Sequence, residues 1–111
     1  MRLKDSSVVF DAKAPLLYAL WRIEIVMQNL GDVVITSQKD GTHKPRSGRI
    51  SLHYSGLAVD IRSKHLTPEQ KQRVKVKLRD SLGVDYDVVL EAEGMTNEHF
   101  HIEYDPKVRT A

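Results

Sequence analysis

The stretch SLHYSGLAVDIR, residues 51–62, raises the question of fold and the question of function together. Its second half, LAVDIR, is rich in residues that suit a β-strand. Side chains alternate across a strand, so Leu57, Val59 and Ile61 share one face and Ala58, Asp60 and Arg62 the other. The first set is core. The second places a carboxylate beside a small alanine, which leaves space next to it. His53 precedes Asp60 by seven positions, an odd separation that puts the two on opposite faces of an unbroken strand. Ser55-Gly56 permits a sharp turn between them, after which His53 can fold back toward Asp60.

Downstream, HFHIEY (99–104) repeats the pattern. Phe100, Ile102 and Tyr104 fall on one face and His99, His101 and Glu103 on the other. YDVVLE (86–91) is a further strand, separated from it by AEGMTN, and the two are close enough to pair as an antiparallel hairpin that Pro106 ends. Upstream, DVVITS (32–37) is a strand and QKDGTHKPRSGRI (38–50) a long loop. Loops of that length in a small domain are often functional.

Two helices complete the chain. Residues 14–31 carry Leu16, Leu20, Ile23, Met27 and Leu30 at helical spacing, with Leu17, Trp21 and Ile25 widening the stripe. Asp11 is a candidate cap, Pro15 suits the first turn, and Gly31 ends the helix. Residues 66–83 form the second helix, with Thr67 as N-cap, Pro68 first, Glu69 in the first turn, Gly83 closing, and Val74, Leu78 and Leu82 as its apolar stripe. The order predicts a single α+β domain over residues 1–111, with both helices on one face of a small, mostly antiparallel sheet.

Composition narrows the chemistry. Seventeen Lys and Arg against fifteen Asp and Glu leave a charge of +2, too balanced to suggest a nucleic-acid protein. The cations of the second helix alternate and spread around it rather than forming one stripe. No apolar run approaches the roughly 20 residues of a membrane span. The N-terminus lacks the apolar core of a signal peptide, so synthesis as a soluble cytoplasmic protein is expected. With no cysteine, a metal has to be held by imidazole and carboxylate. If LAVDIR and HFHIEY are neighbours, two imidazoles and two carboxylates converge with His53 on one surface. Two histidines and one carboxylate with a fourth position open is a catalytic zinc arrangement, and a nearby glutamate can take a proton from bound water. Singly, each histidine is more simply a satisfied or exposed side chain, and charged strand residues a solvated face. The joint pattern supports the metal.

The residues Ser51-x-His53-x-x-Gly56-x-Ala58-x-Asp60, followed by Glu98-x-x-His101, resemble the zinc D-alanyl-D-alanine carboxypeptidases and L-alanyl-D-glutamate endopeptidases, especially their small phage-type members. These share a fold with the amino-terminal signalling domain of hedgehog proteins. The resemblance implies zinc held by His53, Asp60 and His101, with Glu98 as the base that activates water. It also implies an upstream cationic or amide side chain that polarises the scissile carbonyl or binds the substrate carboxylate. Arg49 is the first candidate for it, with Arg46 and Gln38 behind. Ser51, in the motif, and His43, in the loop, are placed near the substrate. Strand alternation puts His99 rather than Glu98 on the face of His101, so Glu98 reaches the metal only if the strand starts after it or is bulged; otherwise His99 takes the base role or a supporting one.

The expected function is hydrolysis of peptidoglycan stem peptides by a zinc peptidase. The rival is a catalytically silent binding or structural module of the same fold, phage-associated. No nucleic-acid partner or membrane insertion is expected, and action at the cell wall would need holin-type release or association with a virion. The bond cut and the oligomeric state are not determined by these residues.

Overall fold

The computed structural model describes residues 1–38 and 56–107. Its second helix, α2 (Pro68–Leu82), shows how local signals set an element. Thr67 stands in extended conformation, its hydroxyl accepts from the Gln70 amide, and the Gln70 side chain returns to the Thr67 amide. This reciprocal cap satisfies two amides that the helix start would leave unpaired. Gly83 closes the helix at φ +84°, a conformation costly for other residues.

The first helix, α1 (Ala14–Val26), is shorter than its periodicity suggests. Asp11 does not cap it; Lys13 stands at the N-cap, with no side-chain cap. The reason lies in the approach. The Asp11 amide donates to Gln38 Oε1 at 2.6 Å and the Lys13 amide to the Gly56 carbonyl at 2.9 Å. Pinned there, the chain turns helical only from Ala14. At the far end Asn29 already takes φ +70°, before Gly31, so the last turn breaks early. Leu16, Leu20, Ile23 and Met27 are buried as expected. Leu17, Trp21 and Ile25 are not: they are 50%, 58% and 41% exposed. Among the described residues, α1 packs on α2 and on β5, which leaves its buried stripe narrow.

Among the described residues, five strands form one sheet in the order β1-β2-β3-β5-β4, with β1 (Arg2–Leu3), β2 (Val34–Ser37), β3 (Ala58–Arg62), β4 (Tyr86–Glu91) and β5 (His99–Tyr104). The expectation of a mostly antiparallel sheet needs one amendment. β1 runs parallel to β2, held by Arg2 N–H to Val33 O and Lys4 N–H to Ile35 O, so the sheet is mixed. Two residues are too few to show a period, which is why β1 escapes a pattern search.

Both helices contribute to one core with the near face of the sheet: Ile35, Val59, Ile61, Val88, Phe100 and Ile102 meet Leu16, Ile23, Val74 and Leu78. The domain is therefore α+β, with its helices on one side. Gly56 takes φ +74°, and a Cβ there would stand 2.5 Å from the Asp11 carbonyl oxygen. The turn expected before β3 thus requires glycine for both its conformation and its close packing. At the centre, β3 and β5 pair antiparallel with Asp60 opposite His101 and Arg62 opposite His99, and β4 pairs with β5 so that Glu91 faces His99.

Candidate metal centre

Alternation along β5 divides its side chains between two environments. Phe100 and Ile102 go to the core, while His99, His101 and Glu103 go to the face away from the helices. β3 makes the same division, with Val59 and Ile61 in the core. The β3–β5 register then brings Asp60 and His101 together.

His101 lies between two carboxylates. Its Nδ1 is 2.9 Å from Asp60 Oδ1 and its Nε2 is 3.0 Å from Glu103 Oε1. Burial alone lowers the pKa of this imidazole, but the hydrogen bonds to Asp60 and Glu103 and their charges outweigh it and raise the value from 6.5 to about 10. The ring is thus favoured as a cation by these two carboxylates. Glu91, at the end of β4, adds a third carboxylate, with Oε1 3.5 Å from His101 Nδ1. Ligand atoms of Asp60, Glu91 and His101 all lie within 4.8 Å of one another, so the group could hold a metal ion.

The two ring nitrogens have different parts in such a site. Nδ1 faces Asp60 and Glu91, so it is the atom placed to ligate. Nε2–H donates to Glu103, the outer carboxylate that fixes tautomer and ring orientation in many metal–histidine sites. Imidazole and carboxylate donors without thiolate suit a borderline divalent ion.

His99 shares this face and is mostly buried. Its Nδ1 is 2.7 Å from the Asn97 carbonyl oxygen, an acceptor only, so Nδ1 carries a hydrogen. Nε2 lies 3.7 Å from both Asp60 Oδ2 and Glu91 Oε1.

Glu98, adjacent in sequence, points the other way. β5 begins after it, yet the alternation carries through: its side chain, 2% exposed, meets Lys71 of α2 at 2.7 Å and the Ser63 hydroxyl at 2.6 Å. The Gly94 amide donates to Oε2 at 2.9 Å. That backbone bond, with the Lys71 and Ser63 bonds next, lowers the Glu98 pKa from 4.5 to about 2. To act as a base, Glu98 would have to leave these donors, whereas His99 already presents Nε2 to the Asp60 side.

Gln38 is fully buried; it accepts from the Asp11 amide and donates from Nε2 to the Ala58 carbonyl at 3.3 Å, bracing the N-terminal segment against β3. His43, Arg46, Arg49, Ser51 and His53 lie outside the described residues. Two members of the cluster carried no assignment from sequence. Glu103 was visible on the face of His101 by alternation alone. Glu91 needed the hairpin register, because only pairing opposite His99 brings it to the site. A second group, Asp87, Glu103 and Asp105, adjoins the first through the hydrogen bond between His101 Nε2 and Glu103. Lys107 Nζ sits 3.2 Å from Asp87 and 3.4 Å from Asp105 and balances much of its charge.

Compared with models of protein families, with curated proteins and with solved structures, the chain shows no match.

Proposed function

We propose that the chain is a zinc peptidase that hydrolyses peptide bonds of peptidoglycan stem peptides, with zinc on His53, Asp60 and His101. One observation carries the proposal: His101 Nδ1 is 2.9 Å from Asp60 Oδ1 while Nε2 is engaged by Glu103. These are two of the residues that the sequence resemblance names, from strands 41 positions apart in sequence, and the ring is oriented as a ligand would be. When bound, zinc supplies a water whose pKa falls toward roughly 7 and a Lewis acid for the scissile carbonyl.

The protein's own groups do the rest. Asp60 and His101 fix the ion, and Glu103 holds His101 in the required tautomer. The proton of the attacking water needs an acceptor that later returns it to the leaving amine. The resemblance names Glu98; the geometry offers His99, whose Nδ1–H to Asn97 leaves Nε2 as the accepting nitrogen. In the conformation described, we assign the role to His99, with Glu98 holding the strand start against α2. Arg49, from the segment before the motif, is the first choice to stabilise the oxyanion. Arg46, His43 and Ser51 are placed with the substrate.

The saturated environment of Glu98 also favours a second reading, a catalytically silent binding module of the same fold. One experiment separates the two. Purified chain with one zinc per molecule, verified by metal analysis, is incubated with peptides ending in D-Ala-D-Ala and with peptides containing L-Ala-D-Glu. Cleavage of either supports the peptidase and identifies the bond. Zinc-loaded protein that binds these peptides and cuts neither is the silent module. Full zinc occupancy in both His53→Ala and His101→Ala proteins removes the metal site as assigned.

A further inference from the structure

Beside the metal centre lies an open cleft of about 790 Å³ whose walls include Lys4, Arg62, Lys64, His65 and His99. Lys4 follows β1, Arg62 ends β3, Lys64 and His65 precede α2, and His99 opens β5. Four parts of the chain thus bring five basic side chains to one concavity. Among the described residues, the side chains of Lys4, Arg62, Lys64 and His65 make no hydrogen bond or ion pair. Asp5, next to Lys4, turns its carboxylate to Ser7 and feels Lys4 only through space. Among the described residues, Glu98 is the one acidic residue lining the cleft, and Lys71 already pairs with it. Asp60 and Glu91 approach from the metal side and lie near His99.

A half-buried guanidinium without an anion is costly, and several cations around one concavity raise its attraction for anions. We propose that this cleft binds a carboxylate of the substrate, with Arg62 as its main partner and Lys4 and Lys64 as flanking charges. The proposal rests on the peptidase reading for the identity of the ligand. Register gives the spacing. The Arg62–His99 pair is two positions along from the Asp60–His101 pair, a distance of about 7 Å. In an extended peptide that span is about two residues. The bound carboxylate therefore sits one to two residues from the bond that is cut, and Arg62 selects substrates by that separation. A guanidinium suits this part because its fork meets both carboxylate oxygens.

The test uses the zinc-loaded full chain and one stem-peptide fragment in two forms, with its carboxylate free or converted to the carboxamide. Binding is followed by backbone-amide chemical shifts. The free carboxylate should bind roughly tenfold more tightly than the amide, as loss of a charge-assisted hydrogen bond implies. The shifts should centre on Arg62, Lys64 and His65. Arg62→Met, which keeps the aliphatic stem, should lose the discrimination, and Arg62→Lys should keep part of it. Should Arg62→Met misfold, the exposed pair Lys4→Met with Lys64→Met should reduce the same preference. Equal affinity for both forms, or an unchanged preference in the variants with native melting and zinc content, overturns the proposal. The two readings fail separately. Wild type that binds the carboxylate in the cleft but cuts neither form keeps the cleft and loses the peptidase. Wild type that cuts both forms with the same KM keeps the peptidase and loses the cleft.

Discussion

Glu98 and His101 stand three residues apart at the head of β5 and serve two clusters on opposite faces of the sheet. On the helix side, one carboxylate meets one ammonium, one hydroxyl and one amide: Lys71, Ser63 and Gly94 satisfy Glu98. On the other side, His101 faces Asp60, Glu91 and Glu103, with His99 beside Asp60 and Glu91. The first cluster balances its charge and fills its hydrogen bonds. Among the described residues, the second sets three carboxylates against the imidazoles of His99 and His101 and could hold a metal ion. One carboxylate braces the fold; the others stand with imidazoles in a group that could hold a metal ion.

The largest effect should come from unbalancing the helix-side cluster. Lys71→Met leaves the Glu98 carboxylate buried without its cation and should cost about 3–5 kcal/mol in denaturant unfolding. The double variant with Glu98→Gln should recover a large part of this. A loss below about 0.5 kcal/mol would mean that Glu98 is not anchored as described.

The base comparison comes next. With zinc retained, His99→Ala should lower stem-peptide hydrolysis on the order of a hundredfold, in line with loss of a general base. Glu98→Gln should act mainly through stability. A Glu98→Gln protein that melts like wild type, holds zinc and is inactive would return the base role to Glu98 and break the division between the faces.

Glu103 sharpens the comparison from the other side. Glu103→Ala removes the acceptor for His101 Nε2–H and should weaken zinc binding about tenfold or somewhat more, measured by competition with a chelator. Affinity equal to wild type would show that Glu103 does not orient the ligand.

Acid provides the smallest effect. The folded pKa of Glu98, about 2, lies below its ordinary 4.5. The carboxylate therefore adds stability that is complete above 4.5 and is lost as pH falls through 4.5 toward 2. Between these values wild type should lose stability faster than Glu98→Gln, by at most about 1.4 kcal/mol per pH unit, the limit for one proton. Parallel pH profiles would contradict the anchoring of Glu98.

Much of this fold was legible in the residues themselves because it is written in local periods. Alternation alone divided His99, His101 and Glu103 from Phe100 and Ile102, and it divided Asp60 from Val59 and Ile61. The Thr67–Gln70 cap and the Gly83 stop sit where their side chains and backbone freedom demand. The positive φ of Gly56 agrees with the turn expected there. These are decided over a few residues, by sterics and nearest hydrogen bonds, and so survive without knowledge of the rest of the chain.

What only the tertiary structure decided are pairings between distant residues. Nothing local tells β1 to run parallel to β2, or Leu17, Trp21 and Ile25 to remain exposed while Leu16 and Leu20 are buried. The meeting of Asp60 with His101 depends on β-sheet register, where a slip of one residue reverses every face. The turn of Glu98 toward Lys71 depends on where α2 packs, 27 positions away in sequence. Sequence alone supplied the residue types and their faces. The choice between a carboxylate that holds the fold and one that meets His101 was made by packing, because only packing decides which charge finds its partner.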